Sequence, residues 1–364
     1  MSHDFANGVY VGRFQPPHSG HLDIIRHGLK TCDQLQIVLG SHLAAPTYKN
    51  PFTTAERQAL ITACLSPGEL QRIAFHPVRD YLYSPMTWTF SVQGVAPRDE
   101  TTTLLGLYKD HSSSYLNDLS PPWEKSFPIF TPRALSATDV RKKWFEQPDG
   151  AWDTSWNDYG FKKRWVGSID SSWKQDLPEA THPLIEAFFQ TRKFQELTNQ
   201  YHIVQEYKDA WKGPYPVSFT TVDAVVVRSS HVLVVKRGGD MGQGLWALPG
   251  GFVGQNETLL QAALRELKEE TKIKVDKVEL KKFFKGVKIC DHPERSLRGR
   301  TYTFAHLFDL GQGPLPEVKG ADDADEAVWM PILDVYLNWD KFFEDHASII
   351  WSLQNGNQST DVCF

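Results

Sequence analysis

Gly12 to His21 reads GRFQPPHSGH, a run of residue types suited to holding a polyphosphate. His18 and His21 stand three apart where a helix is predicted to begin, so both imidazoles can face whatever sits at its positive end. Arg13 adds a fixed cation, Pro16 and Pro17 stiffen the turn, and Gly20 permits close backbone approach. A later segment, LSATDVR, repeats the theme with the hydroxyls of Ser136 and Thr138 and the guanidinium of Arg141 at another helix start. Each feature alone has an ordinary explanation, a solvated loop or an N-cap. Together they suit charge that grows on a phosphoryl group in a transition state and predict a nucleotide site.

The other constellation is acidic. Gly251, then Glu257, then Arg265-Glu266-Leu267-Lys268-Glu269-Glu270 is a long spaced pattern. On a helix Glu266 and Glu270 lie one turn apart with Glu269 nearly on the same face, Arg265 stands four before Glu269, and Leu260, Leu264 and Leu267 line another side. Three acids on one face repel one another unless a divalent cation neutralises them, and carboxylate oxygens suit Mg2+ or Mn2+. Farther on, Arg295, Arg298 and Arg300 precede a predicted strand, and guanidinium forks suit bidentate phosphate contacts.

Positioning these groups requires two kinds of framework. Strand-like runs at Gly8 to Val11, Leu35 to Leu39, Arg72 to Val78 and Thr102 to Leu107 alternate with helical patterns. The helices are predicted after Gly20, from a Thr53/Glu56 capping box through Leu65, and from Ser136 to about Phe145. Strand alternating with helix predicts a parallel sheet. An aromatic and basic stretch follows (Trp152, Trp156, Tyr159, Phe161 to Trp165), read as packing at a domain edge in preference to a base-stacking surface. One or two helices are predicted from Leu184 to Trp211, stopped by Gly213-Pro214-Tyr215-Pro216. Beyond it come a hairpin turning at Ser229-Ser230, the Gly238 to Gly244 loop, and an amphipathic helix from Thr258 to Thr271. A strand at Thr301 to Leu310 and a helix at Phe343 to Leu353 follow.

The chain has 364 residues, enough for two domains, with 41% hydrophobic and 23% charged residues, a globular mixture. Its net charge of −5 offers no general attraction for nucleic acid, so any anion site must be built locally. Four scattered cysteines predict reduced thiols and a cytoplasmic setting, and no apolar run predicts a signal sequence or a membrane span. No Gly-Lys dipeptide and no GxGxxG occurs, so phosphate is not bound by those loops.

GRFQPPHSGH and LSATDVR resemble the HxGH and SxTxxR signatures of the nucleotidyltransferase superfamily. With NPFTTAER (Asn50 to Arg57), residues 9–145 are similar to archaeal-type nicotinamide mononucleotide (NMN) adenylyltransferases. That resemblance implies a Rossmann-like α/β fold with catalytic Arg13, His18 and His21. It also implies substrate contacts from Gly12, Phe14, Gly20, Arg57, Ser136, Thr138 and Arg141, and Trp88 as the ring beside the nicotinamide. The acidic pattern resembles the Nudix box. It implies an α+β Nudix domain, an α/β/α sandwich, with Glu266, Glu269 and Glu270 as catalytic metal ligands, although the family's Gly is Lys272 here. Asp291 to Arg300 and Ala321 to Pro331 resemble segments of the ADP-ribose pyrophosphatase-like branch. That resemblance also implies a loop carboxylate near the second segment as general base, with Asp322, Asp323, Asp325 and Glu326 all left open.

The order of the parts resembles bifunctional NMN adenylyltransferase/Nudix hydrolases, dividing the chain into residues 1–180, a helical connector 181–214 and residues 215–364. The implied reactions join ATP and NMN into NAD and pyrophosphate, and hydrolyse ADP-ribose to AMP and ribose 5-phosphate, with Mg2+ or Mn2+. Pantetheine-phosphate or cytidylyl transfer is the rival for the first half. A non-hydrolytic nucleotide sensor is the rival for the second, disfavoured because every box acid is present and no basic recognition helix is seen. The partners implied are small molecules, with neither nucleic acid nor membrane, and a homo-oligomer is left open.

Overall fold

The structure, a computed structural model, describes residues 3–106, 115–120, 122–126, 135–146, 152–153, 164–165, 169–211, 213 and 215–355. It divides into two compact units, Met1–Asp80 with Pro85–His202, and Tyr81–Ser84 with Ile203–Phe364.

The first unit runs β1 (Phe5–Gly12), α1 (Ser19–Thr31), β2 (Cys32–Leu39), α2 (Thr54–Thr62), α3 (Pro67–Leu70), β3 (Ile73–Pro77), α4 (Pro85–Gln93), β4 (Thr102–Leu105), α5 (Tyr115–Asp118), β5 (Glu124–Ser126) and α6 (Ala137–Phe145). The short pair β6 (Trp152–Asp153) and β7 (Arg164–Trp165) comes next, then α7 (His182–Phe189) and α8 (Arg192–Ala210), whose residues from Ile203 onward count with the second unit. Five strands form a parallel sheet in the order β3-β2-β1-β4-β5. Alternate residues of a strand face opposite sides, so Tyr10 packs with Ile25, Leu29, Ile37 and Ile61 while Val9 and Val11 pack with Val38, Val92, Leu104 and Trp123. Helices cover both faces, and the loops at the carboxyl ends of β1 and β2 are left to carry chemistry.

The second unit holds β8 (Ser218–Arg228), β9 (His231–Arg237), β10 (Trp246–Ala247), β11 (Gly250–Phe252), α9 (Leu259–Thr271), α10 (Lys277–Lys282), β12 (Phe284–Cys290), β13 (Arg300–Asp309), β14 (Ala324–Pro331), α11 (Ile332–Leu337) and α12 (His346–Asn355). Its seven-stranded sheet has the path β10-β9-β8-β13-β12, with β11 paired to β8 and β14 to β9. Only β8 and β13 run parallel to each other; the other pairs are antiparallel. Leu264 and Leu267 of α9 sit in a core with Ala224, Val226, Leu233 and Phe308, the anchoring side that the sequence pattern predicts. The chain is thus a Rossmann-like parallel sheet followed by a Nudix-type mixed sheet.

Several local features differ from sequence expectation. The helix capped by Thr53 ends at Thr62, not Leu65, whereas the one or two helices expected from Leu184 to Trp211 are two, α7 and α8. ADDADEAVWMP is only half a loop: Asp325 and Glu326 lie on β14, paired to β9, and Asp322 and Asp323 precede it. The edge elements α10 and β12 carry no clear periodicity and escape sequence reading. The side chains of the aromatic and basic stretch, Pro214 of the predicted stop, and Cys363 lie outside what the structure describes. Among the described residues Cys32, Cys64 and Cys290 are free thiols, and no helix is long and apolar enough to cross a membrane.

Ser229 and Ser230 take φ 48° and 62°, the left-handed pair that a two-residue hairpin turn needs. Lys272 caps α9 at φ 45°, ψ 28°, so the left-handed cap of the box persists without its glycine. A Cβ costs roughly 1–2 kcal/mol there, partly offset by the chain entropy that glycine loses. Lys272→Gly is therefore expected to stabilise the protein by about 0.5–1 kcal/mol, read as a higher urea midpoint. An unchanged or lower midpoint would contradict a strained cap.

Candidate functional site

The first site forms where β1 gives way to α1. His18 is the N-cap of α1, and its backbone N–H donates to His21 Nδ1 at 3.1 Å. That bond places the proton of a neutral His21 on Nε2, on the far side of the ring. The two rings stack with centroids 3.7 Å apart. His18 is buried, His21 half-buried and Arg13 exposed. The second signature arrives from far along the chain: Arg141 of α6 donates from Nη1 to the Gln15 carbonyl and from Nη2 to Thr138 Oγ1 at 3.1 Å. Ser136 caps α6 by accepting from the Thr138 N–H at 3.2 Å. Both helix starts therefore converge on one turn, with hydroxyls, guanidinium and imidazole together.

Two residues with expected substrate contacts have other duties. Phe14 is 1% exposed; its φ of 51° turns the ring inward, edge-on to Tyr10 and His21. A Cβ on Gly12 would lie 2.7 Å from that ring, which is why glycine precedes it. Arg57 is fully buried in α2. Its Nε donates to Thr53 O, Nη1 to the carbonyls of Arg13 (2.7 Å) and Gly40 (2.6 Å), and Nη2 to Ser41 O and Thr54 Oγ1. All five donors are engaged, so none remains for a phosphate. Burial draws its guanidinium down to about 10, still charged at neutral pH. Sequence reading also missed Gln15, whose amide makes a two-way bond with the Phe52 backbone (2.7 and 2.9 Å), and Asp80, which accepts from Ser41 N–H and Oγ. Trp88 lies on α4, half-buried and edge-on to Tyr115, whose hydroxyl donates to Val11 O near the end of β1.

The second site is built on α9. Arg265 Nη1 donates to Glu266 Oε1 (2.9 Å) and Glu269 Oε2 (3.0 Å), and Nη2 to Glu257 Oε1 (2.6 Å). Glu270, buried, accepts from the Gly250 N–H at 3.0 Å. Burial pushes the Glu270 carboxyl up to about 8, with the Glu266 charge adding to the rise, and burial raises Glu266 too. A Cβ on Gly250 would stand 2.2 Å from Val222 O, a backbone atom, so that glycine is a space requirement, whereas one on Gly251 would meet the end of the Glu266 side chain, at 2.6 Å, and displace that carboxylate. Among the described residues no three His, Cys, Asp or Glu side chains converge as a ready-made metal site. The donor set nevertheless fits a hard divalent cation: all are carboxylate oxygens, and burial and neighbouring acids disfavour the ionised forms of Glu266 and Glu270.

The three arginines separate. Arg295 is buried in a bidentate pair with Asp345, both bonds 3.0 Å, and cannot also fork a substrate phosphate. Arg300 lies 4.7 Å from the Tyr302 ring centroid and donates to Asp291 O. Arg298 is half-buried, 3.6 Å from Glu344 Oε2 and 5.5 Å from the Phe252 ring centroid. Glu344, strained at φ 46°, accepts from Ser296 Oγ and Leu297 N–H, pinning the same loop. Asp223, buried on β8 opposite Gly250, accepts from Thr303 Oγ1 at 2.6 Å. A carboxylate inside the Val-rich run VDAVVV was the available signal for it.

The Cytidylyltransferase-like family matches residues 9–81 and the NUDIX domain family residues 218–351. A nicotinamide/nicotinic acid mononucleotide adenylyltransferase of Acinetobacter baylyi is 34% identical over 142 residues, 38% of this chain and 74% of that protein. The nicotinamide-nucleotide adenylyltransferase of Thermococcus onnurineus is 30% identical over 145 residues, 38% of this chain and 72% of the relative. A crystal structure of a bifunctional NMN adenylyltransferase/ADP ribose pyrophosphatase from Francisella tularensis, complexed with AMP and a manganese ion, is 32% identical. It has a TM-score of 0.82 over 96% of this chain and 98% of that one. With the convergent HxGH and SxTxxR turns in one unit and the box helix in the other, the chain belongs to the family of bifunctional NMN adenylyltransferase/ADP-ribose pyrophosphatases.

Proposed function

We propose that the first unit joins ATP and NMN into NAD and pyrophosphate, and that the second hydrolyses ADP-ribose to AMP and ribose 5-phosphate. The observation that carries the first reading is the bond from Arg141 to the Gln15 carbonyl, which brings the two phosphate-binding helix starts to one turn. An NMN phosphate oxygen attacks the α-phosphorus of ATP in line and pyrophosphate leaves, so no protein nucleophile is required. Arg13, His18, His21 and Arg141 hold the phosphates, His21 presenting its Nε2–H to the charge that develops on them. Ser136 and Thr138 orient the nucleotide from the α6 start, and Trp88 lies against the nicotinamide side.

For the second reading the carrying observation is the Gly250–Glu270 bond, which fixes a buried carboxylate beside Glu266. Glu266, Glu269 and Glu270 would hold a divalent cation, magnesium or manganese, which when bound polarises a phosphoryl oxygen and acidifies water. Arg265 fixes the carboxylate orientations, and Arg298, steadied by Glu344, meets the diphosphate. The general base is a carboxylate among Asp322, Asp323, Asp325 and Glu326.

Variants in the two units separate the activities. His21→Ala is expected to lower NAD synthesis by roughly 10²–10³-fold, the scale for losing one such donor, with ADP-ribose hydrolysis unchanged. Near-normal NAD synthesis would remove this turn from catalysis. Arg57→Ala strands several buried carbonyls and is expected to cost about 3 kcal/mol of stability together with adenylyl transfer; wild-type stability in a chemical melt would contradict the five-donor role. Glu270→Gln keeps shape and removes charge, so hydrolysis should collapse while NAD synthesis persists. Loss of both activities would show the box helix to be structural only.

A further inference from the structure

We propose that Tyr83, carried by the segment between β3 and α4, is a positioning residue for hydrolysis in the second unit: through Asp345 its hydroxyl sets the loop that presents Arg298 to the diphosphate. This rests on reading the second unit as an ADP-ribose hydrolase. Tyr81–Ser84 lies among residues of the first unit in sequence, yet it packs as part of the second. Tyr81 fixes it there, its ring centroid 5.0 Å from that of Trp351 and 6.1 Å from that of Trp339. Two residues on, the Tyr83 hydroxyl donates to Asp345 Oδ2. Burial pushes the phenol well above its ordinary range, with the Asp345 charge adding to the rise, so the oxygen keeps its proton and donates to the carboxylate.

Asp345 is where this contact gains leverage. Its oxygens also take the Arg295 fork, Oδ2 from Nε and Oδ1 from Nη2, both at 3.0 Å, and the pair is buried. Attraction within a buried pair offsets the loss of water only where further hydrogen bonds satisfy the remaining lone pairs. Tyr83 satisfies one on Oδ2. The neighbouring residue grips the same loop: Glu344 Oε1 accepts from Ser296 Oγ at 2.7 Å and from Leu297 N–H at 3.2 Å, and Glu344 Oε2 stands 3.6 Å from Arg298 Nη2. Ser296 Oγ in turn accepts from the Arg298 backbone N–H and from Arg298 Nε, at 3.3 and 3.2 Å. His346, next along, accepts the Leu248 N–H at 2.8 Å, two residues before the Gly250 that holds Glu270. Residues 344–346 therefore hold both the arginine loop and the approach to the box, and Tyr83 reaches them from a distant stretch of chain. Without its hydroxyl, Asp345 and Arg295 can shift as a pair and the loop samples more arrangements. Apparent affinity then falls with the fraction of molecules in which Arg298 is placed.

The test is steady-state ADP-ribose hydrolysis by the full-length protein as wild type, Tyr83→Phe, Arg298→Ala and the double variant, with KM and kcat resolved separately and a urea midpoint for each. Tyr83→Phe should raise KM roughly 2–10-fold, the scale of one lost hydrogen bond, with kcat within about twofold. It should add nothing to the KM of Arg298→Ala, because the hydroxyl acts through that arginine. Active wild-type enzyme with unchanged KM in Tyr83→Phe, whether or not kcat or the midpoint falls, would make Tyr83 structural only and overturn the positioning role alone. An equal rise of KM in the Arg298→Ala background would overturn it too, since the hydroxyl would then act elsewhere. Wild-type protein inert toward ADP-ribose would overturn the hydrolase reading and the positioning role with it.

Discussion

A guanidinium taken out of water must have every N–H met, and in the first unit that requirement organises the site. Arg57 reaches the carbonyls after β1, the carbonyls after β2 and the start of α2 at once. The turn bearing Arg13 is thereby tied to the loop bearing Ser41, which Asp80 ties in turn to the segment after β3. Three crossings of the sheet edge become one rigid rim, at the carboxyl ends of strands where an open α/β sheet binds ligands. Gln15, paired with Phe52 on one side and reached by Arg141 on the other, closes it. The cations proposed to face substrate, Arg13 and Arg141, are thus set on a rim held by other polar groups.

The second unit applies the same division of labour with opposite charges. Arg295 and Asp345 neutralise each other in the interior, and the loop they anchor presents Arg298. Arg265 gathers the carboxylates of Glu257, Glu266 and Glu269 through one guanidinium and orients their oxygens. A chain with net charge −5 has no long-range field to attract polyanionic substrates. Under the proposed function, phosphate is gripped in both units by cations that local pairing of this kind positions.

Much of this was legible in the sequence because its signals are short-range. The Thr53/Glu56 box, the Ser136 cap, the alternation in β1 and the leucine stripe of α9 each act within one element. The residues able to carry chemistry were legible for the same reason, since HxGH and the box have fixed spacing. What escaped was pairing across long separations. Nothing near Arg57 shows that its acceptors lie 44 residues upstream at Arg13, so a buried fastener read as a substrate contact. Arg295 and Asp345 are 50 residues apart, and only the fold shows that they neutralise each other. Sequence proximity of Arg295, Arg298 and Arg300 suggested one patch, whereas strand geometry and burial give them three environments.

The central claim is that one chain makes a phosphoanhydride bond in one unit and breaks one in the other. The most direct measurement is ³¹P NMR of the purified protein with a magnesium salt, given ATP and NMN in one tube and ADP-ribose in another. The account predicts NAD with pyrophosphate in the first and AMP with ribose 5-phosphate in the second. Unchanged NMN in the first tube, or unchanged ADP-ribose in the second, would contradict it.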